Sequence, residues 1–104
     1  LAGDTLYISG QLGLDPATGA MPESVTEQAE QSLKNLGAIL EAAGMSYADV
    51  VKTTVFLSDM NDFAAINEVY ARFFASDCPA RSCVQAAALP KGAKFEAEAI
   101  AVKG

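Results

Sequence analysis

Two charged side chains stand where a sheet core would hold none. Between Pro79 and Val102 two apolar-rich runs flank a Leu89-Pro90-Lys91-Gly92 break; Arg81 opens the first run and Glu96 lies inside the second. Arg81 is one of two arginines in the chain, and the other, Arg72, falls in a helical pattern. Such groups are costly beside a core unless they are paired or used. A guanidinium fork matches a carboxylate with two parallel hydrogen bonds. A carboxylate can orient or deprotonate a water. Together they suit a small carboxylate substrate attacked by water. The plainer alternative is a structural Arg–Glu ion pair, and spacing alone favours it. A simple hairpin around Pro90-Lys91 would set Glu96 opposite about Gln85, roughly four residues and about 13 Å along the strand from Arg81. The two residues therefore meet on one ligand only if the runs are not paired neighbours or if they meet across a subunit boundary. Cys83 has the strand parity of Arg81, but a nucleophilic thiol needs a base and no histidine exists to serve. It reads as an inert, buried thiol whose backbone matters more than its sulfur, and Cys78 reads as a loop thiol.

Composition narrows the field. The chain has 104 residues, of which 51% are hydrophobic, enough for one domain with a real core. A net charge of −6 with seven basic residues argues against nucleic acid and anionic membrane as partners. The absence of histidine excludes imidazole catalysis and the common zinc sites, so no metal is expected. Cys78 and Cys83 do not form a Cys-x-x-Cys site, and a reducing compartment is the simplest reading. No apolar run approaches membrane-spanning length and no signal peptide is visible. The chain opens on Leu1 rather than Met and reads as a truncated or processed product.

The elements that must carry these residues follow in order. Leu6 to Leu14 reads as a strand, with Gly10 marking a bulge or a close backbone approach. Asp15 to Gly19 is a turn. Ser24-Val25-Thr26-Glu27 fits a capping box, with Ser24 as N-cap and Glu27 reaching back. Ala29, Leu33, Leu36 and Leu40 continue an apolar helical stripe that begins at Val25 and ends at Ala43, where Gly44 can stop the helix. Val50 to Ser58 is rich in β-branched residues and reads as a strand. Asp59 to Asp62 supplies a turn and possible N-caps. Phe63, Ile66, Tyr70 and Phe73 form a second helical stripe, widened by Val69 and Phe74. This pattern marks core rather than a cofactor box, and Asn67 alone is an ordinary helix residue. Ser76 to Pro79 ends that helix. Ser82 to Leu89 and Lys94 to Val102 complete the strands. In the last, Phe95, Ala97, Ala99 and Ala101 share one face, while Glu96, Glu98, Ile100 and Val102 share the other. The order of strand, helix, strand, helix, strand, strand indicates an α+β or α/β sandwich with two helices on one sheet face.

Taken together these residues resemble the RidA family, the reactive intermediate deaminases also called the YjgF family. The resemblance is carried by Pro79-Ala80-Arg81-Ser82-Cys83-Val84-Gln85, Ala88-Leu89-Pro90-Lys91-Gly92-Ala93, Glu96 and Glu98-Ala99-Ile100-Ala101-Val102. Tyr7-Ile8-Ser9-Gly10-Gln11, the Asn35-Leu36 to Ala43-Gly44 helix end, Val51-Lys52-Thr53-Thr54-Val55 and Asn61-Asp62-Phe63 with Asn67 and Tyr70 extend it. It covers residues 1–104 as a single domain.

The resemblance implies a chorismate-mutase-like α+β fold: a mixed sheet with two helices on one face, the last two strands not neighbours, assembled as a homotrimer with ligand clefts between subunits. It implies hydrolysis, without a cofactor, of enamines and imines such as 2-aminoacrylate and 2-iminopropionate to 2-keto acids and ammonia, with small imino or keto acids as ligands. It implies a cytoplasmic location, or a mitochondrial one in a eukaryote. By family pattern, Arg81 grips the substrate carboxylate and Glu96 positions the hydrolytic water. The Cys83 backbone contacts the ligand, while Ser9, Gly10 and Asn67 line the cleft. The family's N-terminal segment, whose Pro-Tyr-Ser motif brings a tyrosine to the cleft, does not precede Leu1, so an incomplete site is expected. Cys78 replaces an aromatic residue, Phe95 and Ala97 replace aliphatic ones, and Ala86 stands where a branched residue is frequent. Two other readings stand beside the deaminase. One is a trimeric module that binds a small carboxylate or a protein without turnover. The other is an RNA-cleaving translation inhibitor, which the charge of −6 and the lack of histidine oppose.

Overall fold

In the computed structural model, residues 3–74 and 79–103 are described. They form β1 (Thr5–Leu12), α1 (Val25–Ala42), β2 (Val50–Leu57), α2 (Phe63–Phe73), β3 (Ala80–Gln85) and β4 (Phe95–Val102), with short 3₁₀ turns before β2, α2 and β4. The four strands make one sheet in the order β1-β4-β2-β3. β4 runs antiparallel to both β1 and β2, while β3 runs parallel to β2, so the sheet is mixed. The strands are shorter than the sequence suggests: β1 stops at Leu12, β2 at Leu57 and β3 at Gln85. β3 and β4 are separated by β2, as the family resemblance implies.

The order of elements follows from local chemistry. The Ser24 hydroxyl accepts the Glu27 backbone N–H at 3.1 Å and opens α1. Only this half of the expected capping box forms; Glu27 points to solvent. At the other end Gly44 takes φ +72°, Met45 N–H returns to the Leu40 carbonyl at 2.8 Å, and Gly44 N–H returns to that of Glu41 at 2.9 Å. That pair of bonds is a Schellman cap, and the residue after the glycine, Met45, is buried beneath it. Asp59 caps the turn before α2 by accepting Asn61 N–H at 2.9 Å, whereas Asp62 makes no side-chain cap. The expected end of α2 at Ser76 to Cys78 lies outside the described residues.

Both helices cover one face of the sheet. Leu33, Leu36 and Leu40 of α1 and Ile66 and Val69 of α2 are buried against Val55, Leu57 and Phe95. Each such side chain contributes roughly 1.5–3 kcal/mol by leaving water. Ala97 and Ala101 on the same face of β4 are fully buried, and their small side chains let α1 lie close. The other face carries Tyr7, Val84 and Val102, which are 66%, 45% and 39% exposed, among polar residues that include Lys52 and Glu98, and it is uncovered in the single chain. Among the described residues no helix is long and apolar enough to cross a membrane.

Replacing Gly44 puts a Cβ into a left-handed conformation. Gly44→Ala is expected to lower the urea midpoint by an amount equivalent to about 1 kcal/mol, with an unchanged denaturant slope.

Candidate functional site

Arg81 lies on edge strand β3 in register with Thr53 of β2, on the helix-covered face. Its guanidinium carbon is 4.6 Å from the centre of the Tyr70 ring and 5.3 Å from that of Phe63. Its Nη1 donates to Asn67 Oδ1 at 2.5 Å. Phe63, Asn67 and Tyr70 fall at i, i+4 and i+7 of α2, hence on one side of that helix. The cation is thus gripped by two ring faces and one neutral acceptor. The one ion pair among the described residues is Glu30–Lys34 on the outside of α1, so no described carboxylate neutralises Arg81. Of the five donors on a guanidinium, one is directed to Asn67, and the charge remains for an external anion. A cleft beside the cation is walled by Asn67, Glu68, Tyr70, Ala71, Phe74 and Pro79, and Glu68, though it lines this cleft, makes no ion pair with Arg81.

Cys83 lies two residues along β3, in register with Val55 and half-buried rather than buried as the sequence suggests. Loss of solvation raises its thiol pKa above the ordinary value, and the nearby Arg81 only partly opposes this. The sulfur is held as the neutral thiol, which agrees with the expectation of an inert side chain. Cys78 lies outside the described residues.

Glu96 belongs to the opposite face. It pairs with Phe56 of β2 and Leu12 of β1, between the buried Phe95 and Ala97. The β1 register shifts between Ile8 and Gln11, so Ser9 and Gly10 form the expected bulge. A Cβ on Gly10 would collide with the Glu96 carboxylate, so the glycine is what lets that carboxylate lie against the strand. Ser9 is exposed on this face, beside a groove that it shares with Tyr7, Lys52, Thr54, Glu98 and Ile100. Lys52 Nζ there donates to Ser82 Oγ at 2.9 Å.

The bulge is held from behind by polar groups of α1. Ser32 Oγ donates to the Gln11 carbonyl at 2.6 Å, and Asn35 Nδ2 donates to those of Leu12 and Leu14 at 3.2 and 2.8 Å. Gln28, buried, donates to the Pro22 carbonyl and accepts Lys94 N–H, both at 2.8 Å, and so ties the start of α1 to the chain just before β4.

The six sequence-derived residues therefore fall into two groups. Arg81, Asn67 and Cys83 lie on the helix side at the β3 edge; Ser9, Gly10 and Glu96 lie on the open side at β1 and β4. Arg81 is level with Thr53 and Ala99, whereas Glu96 is level with Phe56. That places them three residues apart along the strands, about 10 Å, two strands apart across the sheet, and on opposite faces. No single chain brings them to one small ligand. The expected structural Arg81–Glu96 ion pair is equally absent among the described residues. Sequence reading missed the part that Phe63, Tyr70 and Thr53 play around Arg81, because aromatic residues at helical spacing read as core. The available signal was Asn67 midway between two aromatics on the same helix side.

The fold is a two-layer mixed sheet with an aromatic-backed arginine on one face and a glycine-accommodated glutamate on the other. The family model described as Endoribonuclease L-PSP matches residues 1–103. The rat 2-iminobutanoate/2-iminopropanoate deaminase is 55% identical over 96% of this chain and 74% of its own length. Its counterpart from Salmonella typhimurium is 54% identical over 97% of this chain and 81% of its own length. The crystal structure of E. coli TdcF with bound serine superposes with a TM-score of 0.96 at 50% identity, covering 100% of this chain and 84% of that one. The chain belongs to the RidA (YjgF) family.

Two outcomes are expected from this geometry. Gly10→Ala should displace the Glu96 carboxylate at a cost of less than about 1 kcal/mol in denaturant unfolding, because the clashing atoms are the end of a movable side chain, while the Arg81 environment, on the other face, is unchanged in a crystal structure or by NMR. In a Cys78→Ser background, alkylation of Cys83 by iodoacetamide should reach half its limiting rate only at a pH above that of a free cysteine, because its pKa is raised. A midpoint below the ordinary value would contradict the desolvation argument.

Proposed function

We propose that this protein hydrolyses reactive enamine and imine intermediates, 2-aminoacrylate with its tautomer 2-iminopropionate and the four-carbon 2-iminobutanoate, to 2-keto acids and ammonia. The observation that carries the reading is the identity of 55% across 96% of the chain with a protein named for that deamination. The geometry around Arg81 supports it. The substrate is a small 2-imino acid, and its carboxylate needs a cation that no described carboxylate has claimed.

The two separated groups of residues also support a shared site. A homotrimer in which the β3 edge of one copy meets the open sheet face of the next would unite Arg81, Asn67 and Cys83 with Ser9, Gly10 and Glu96 of the neighbouring copy. Such packing would also cover the exposed Tyr7, Val84 and Val102. In that cleft Arg81 holds the carboxylate, and backbone groups near Cys83 and Gly10 orient the imine. Glu96 aligns a water on the C=N carbon. Water adds to that carbon, its proton passes to nitrogen, and the carbinolamine expels ammonia to leave the keto acid. The imine carbon is already electrophilic, so alignment suffices and no covalent enzyme intermediate is needed. The neutral Cys83 thiol accords with this. No step calls on a cofactor or a metal.

A second reading, a trimer that binds a small carboxylate without turnover, is favoured by the serine bound to TdcF, since serine is not an imine. Neither reading involves nucleic acid or membrane, in keeping with the net charge of −6.

A coupled assay separates them. A dehydratase generates 2-aminoacrylate from serine, and imine decay and ammonia release are followed with and without this protein. The deaminase reading expects acceleration that Arg81→Ala reduces by about 10²-fold or more, with oligomeric state unchanged by light scattering. Binding of a keto acid without acceleration would establish the binding module instead. Full activity of Arg81→Ala would remove Arg81 from the site.

A further inference from the structure

A long arginine side chain binds a carboxylate well only if its position is held before the ligand arrives. Free rotation of its four side-chain torsions otherwise has to be lost on binding. The source of that order lies beneath Arg81. The Tyr70 ring backs the guanidinium at 4.6 Å, closer than the Phe63 ring at 5.3 Å. The Tyr70 hydroxyl is in turn hydrogen-bonded to Thr53 Oγ1 at 2.7 Å, with Tyr70 only 6% and Thr53 only 1% exposed. Thr53 is the register partner of Arg81 on the neighbouring strand. The three residues thus close a loop: strand β2 holds Thr53, Thr53 fixes the Tyr70 ring, and the ring supports the cation that projects from the next strand. A hydrogen bond between two buried hydroxyls is held firmly, because water cannot replace either partner.

We infer that Thr53 and Tyr70 are positioning residues for ligand carboxylates: their buried hydroxyl pair fixes the ring that holds Arg81 in its binding conformation. The inference deepens the reading of Arg81 as a carboxylate clamp and rests on it for the kinetic consequence. The ordering of Arg81 is a separate quantity that can be read with no ligand present.

The decisive variant is the double substitution Thr53→Val and Tyr70→Phe. It removes both hydroxyls together, so neither is left buried and unpaired, and it keeps both side-chain shapes. Thr53→Ser keeps the hydroxyl and serves as the rescue. The first measurement is the ¹⁵N relaxation of Arg81 Nε–H in the ligand-free protein. A high order parameter is expected in the wild type and in Thr53→Ser, with a clear fall in the double variant. The second is affinity for 2-oxobutanoate by calorimetry, expected to weaken about 5- to 20-fold in the double variant and less than 2-fold in Thr53→Ser. The third, in the coupled assay, is a KM raised by a similar factor with kcat within about 2-fold. Equal Arg81 order in wild type and double variant would overturn the inference, whatever the protein turns over. An absent imine deamination alongside the expected loss of order and affinity would overturn the deaminase reading and leave the positioning role standing. A variant that lowers kcat and leaves KM and keto-acid affinity untouched would also overturn it, because that pattern belongs to the reacting centre and not to the clamp.

Discussion

The structure depends on the two-sidedness of β4. This strand is hydrogen-bonded on both edges, to β1 and to β2, and its side chains alternate without interruption. Phe95, Ala97, Ala99 and Ala101 go under the helices and close the core, which commits Glu96, Glu98, Ile100 and Val102 to the opposite face. A slip of one residue would bury two glutamates and expose Phe95, so the register has little freedom. Glu96 is therefore held by the same constraint that builds the core, and it faces away from the layer in which Arg81 is gripped.

Arg81 is supported by the complementary feature. It projects from the edge strand β3, where the helix layer ends and ring faces of α2 remain available. A cation in the middle of the sheet would have lost its hydration outright; at the edge it keeps access to a ligand while its stem and plane are packed. Among the described residues the charge is met by ring quadrupoles and by Asn67 rather than by a carboxylate, so it stays strong toward an anion. Each chain thus carries the Arg81 group and the Glu96 group on opposite faces of its sheet. The uncovered sheet face, with the exposed Tyr7, Val84 and Val102, is the one that carries Glu96.

Parts of this were legible beforehand. The helix start at Ser24, the αL glycine at Gly44 and the alternation of β4 depend on neighbours within a few residues, and they appear where propensity and period put them. A glycine inside a strand pattern implies a bulge or a close approach, and at Gly10 both are present, because the extra residue and the missing Cβ serve the Glu96 carboxylate together. The Glu27 half of the capping box did not form, since an exposed glutamate gains little from that bond over water. The late run ends as a strand at Gln85 rather than at Leu89, because β2 ends at Leu57, whose carbonyl takes the last bond from Ala86 N–H, and the Pro90–Gly92 turn follows. Cys83 is half-buried where strand parity implies a buried thiol, as an edge strand leaves even an inward-facing side chain half open.

The sequence by itself determined the order of elements, the apolar face of each, the residue types fit for carboxylate binding and water alignment, and, through its resemblance, the family. Those properties are local or are carried by motifs that survive without coordinates. Only the tertiary structure decided that Arg81 and Glu96 lie on opposite faces of one sheet, that the Tyr70 ring lies against Arg81 as well as in the core, and that Thr53 bonds its hydroxyl. The physical reason is strand order. Which strand lies between β3 and β4, and hence which residues become neighbours across the sheet, is settled by packing both helices onto a single continuous layer. Contacts between Thr53, Tyr70 and Arg81 span the chain and have no period for a sequence to display.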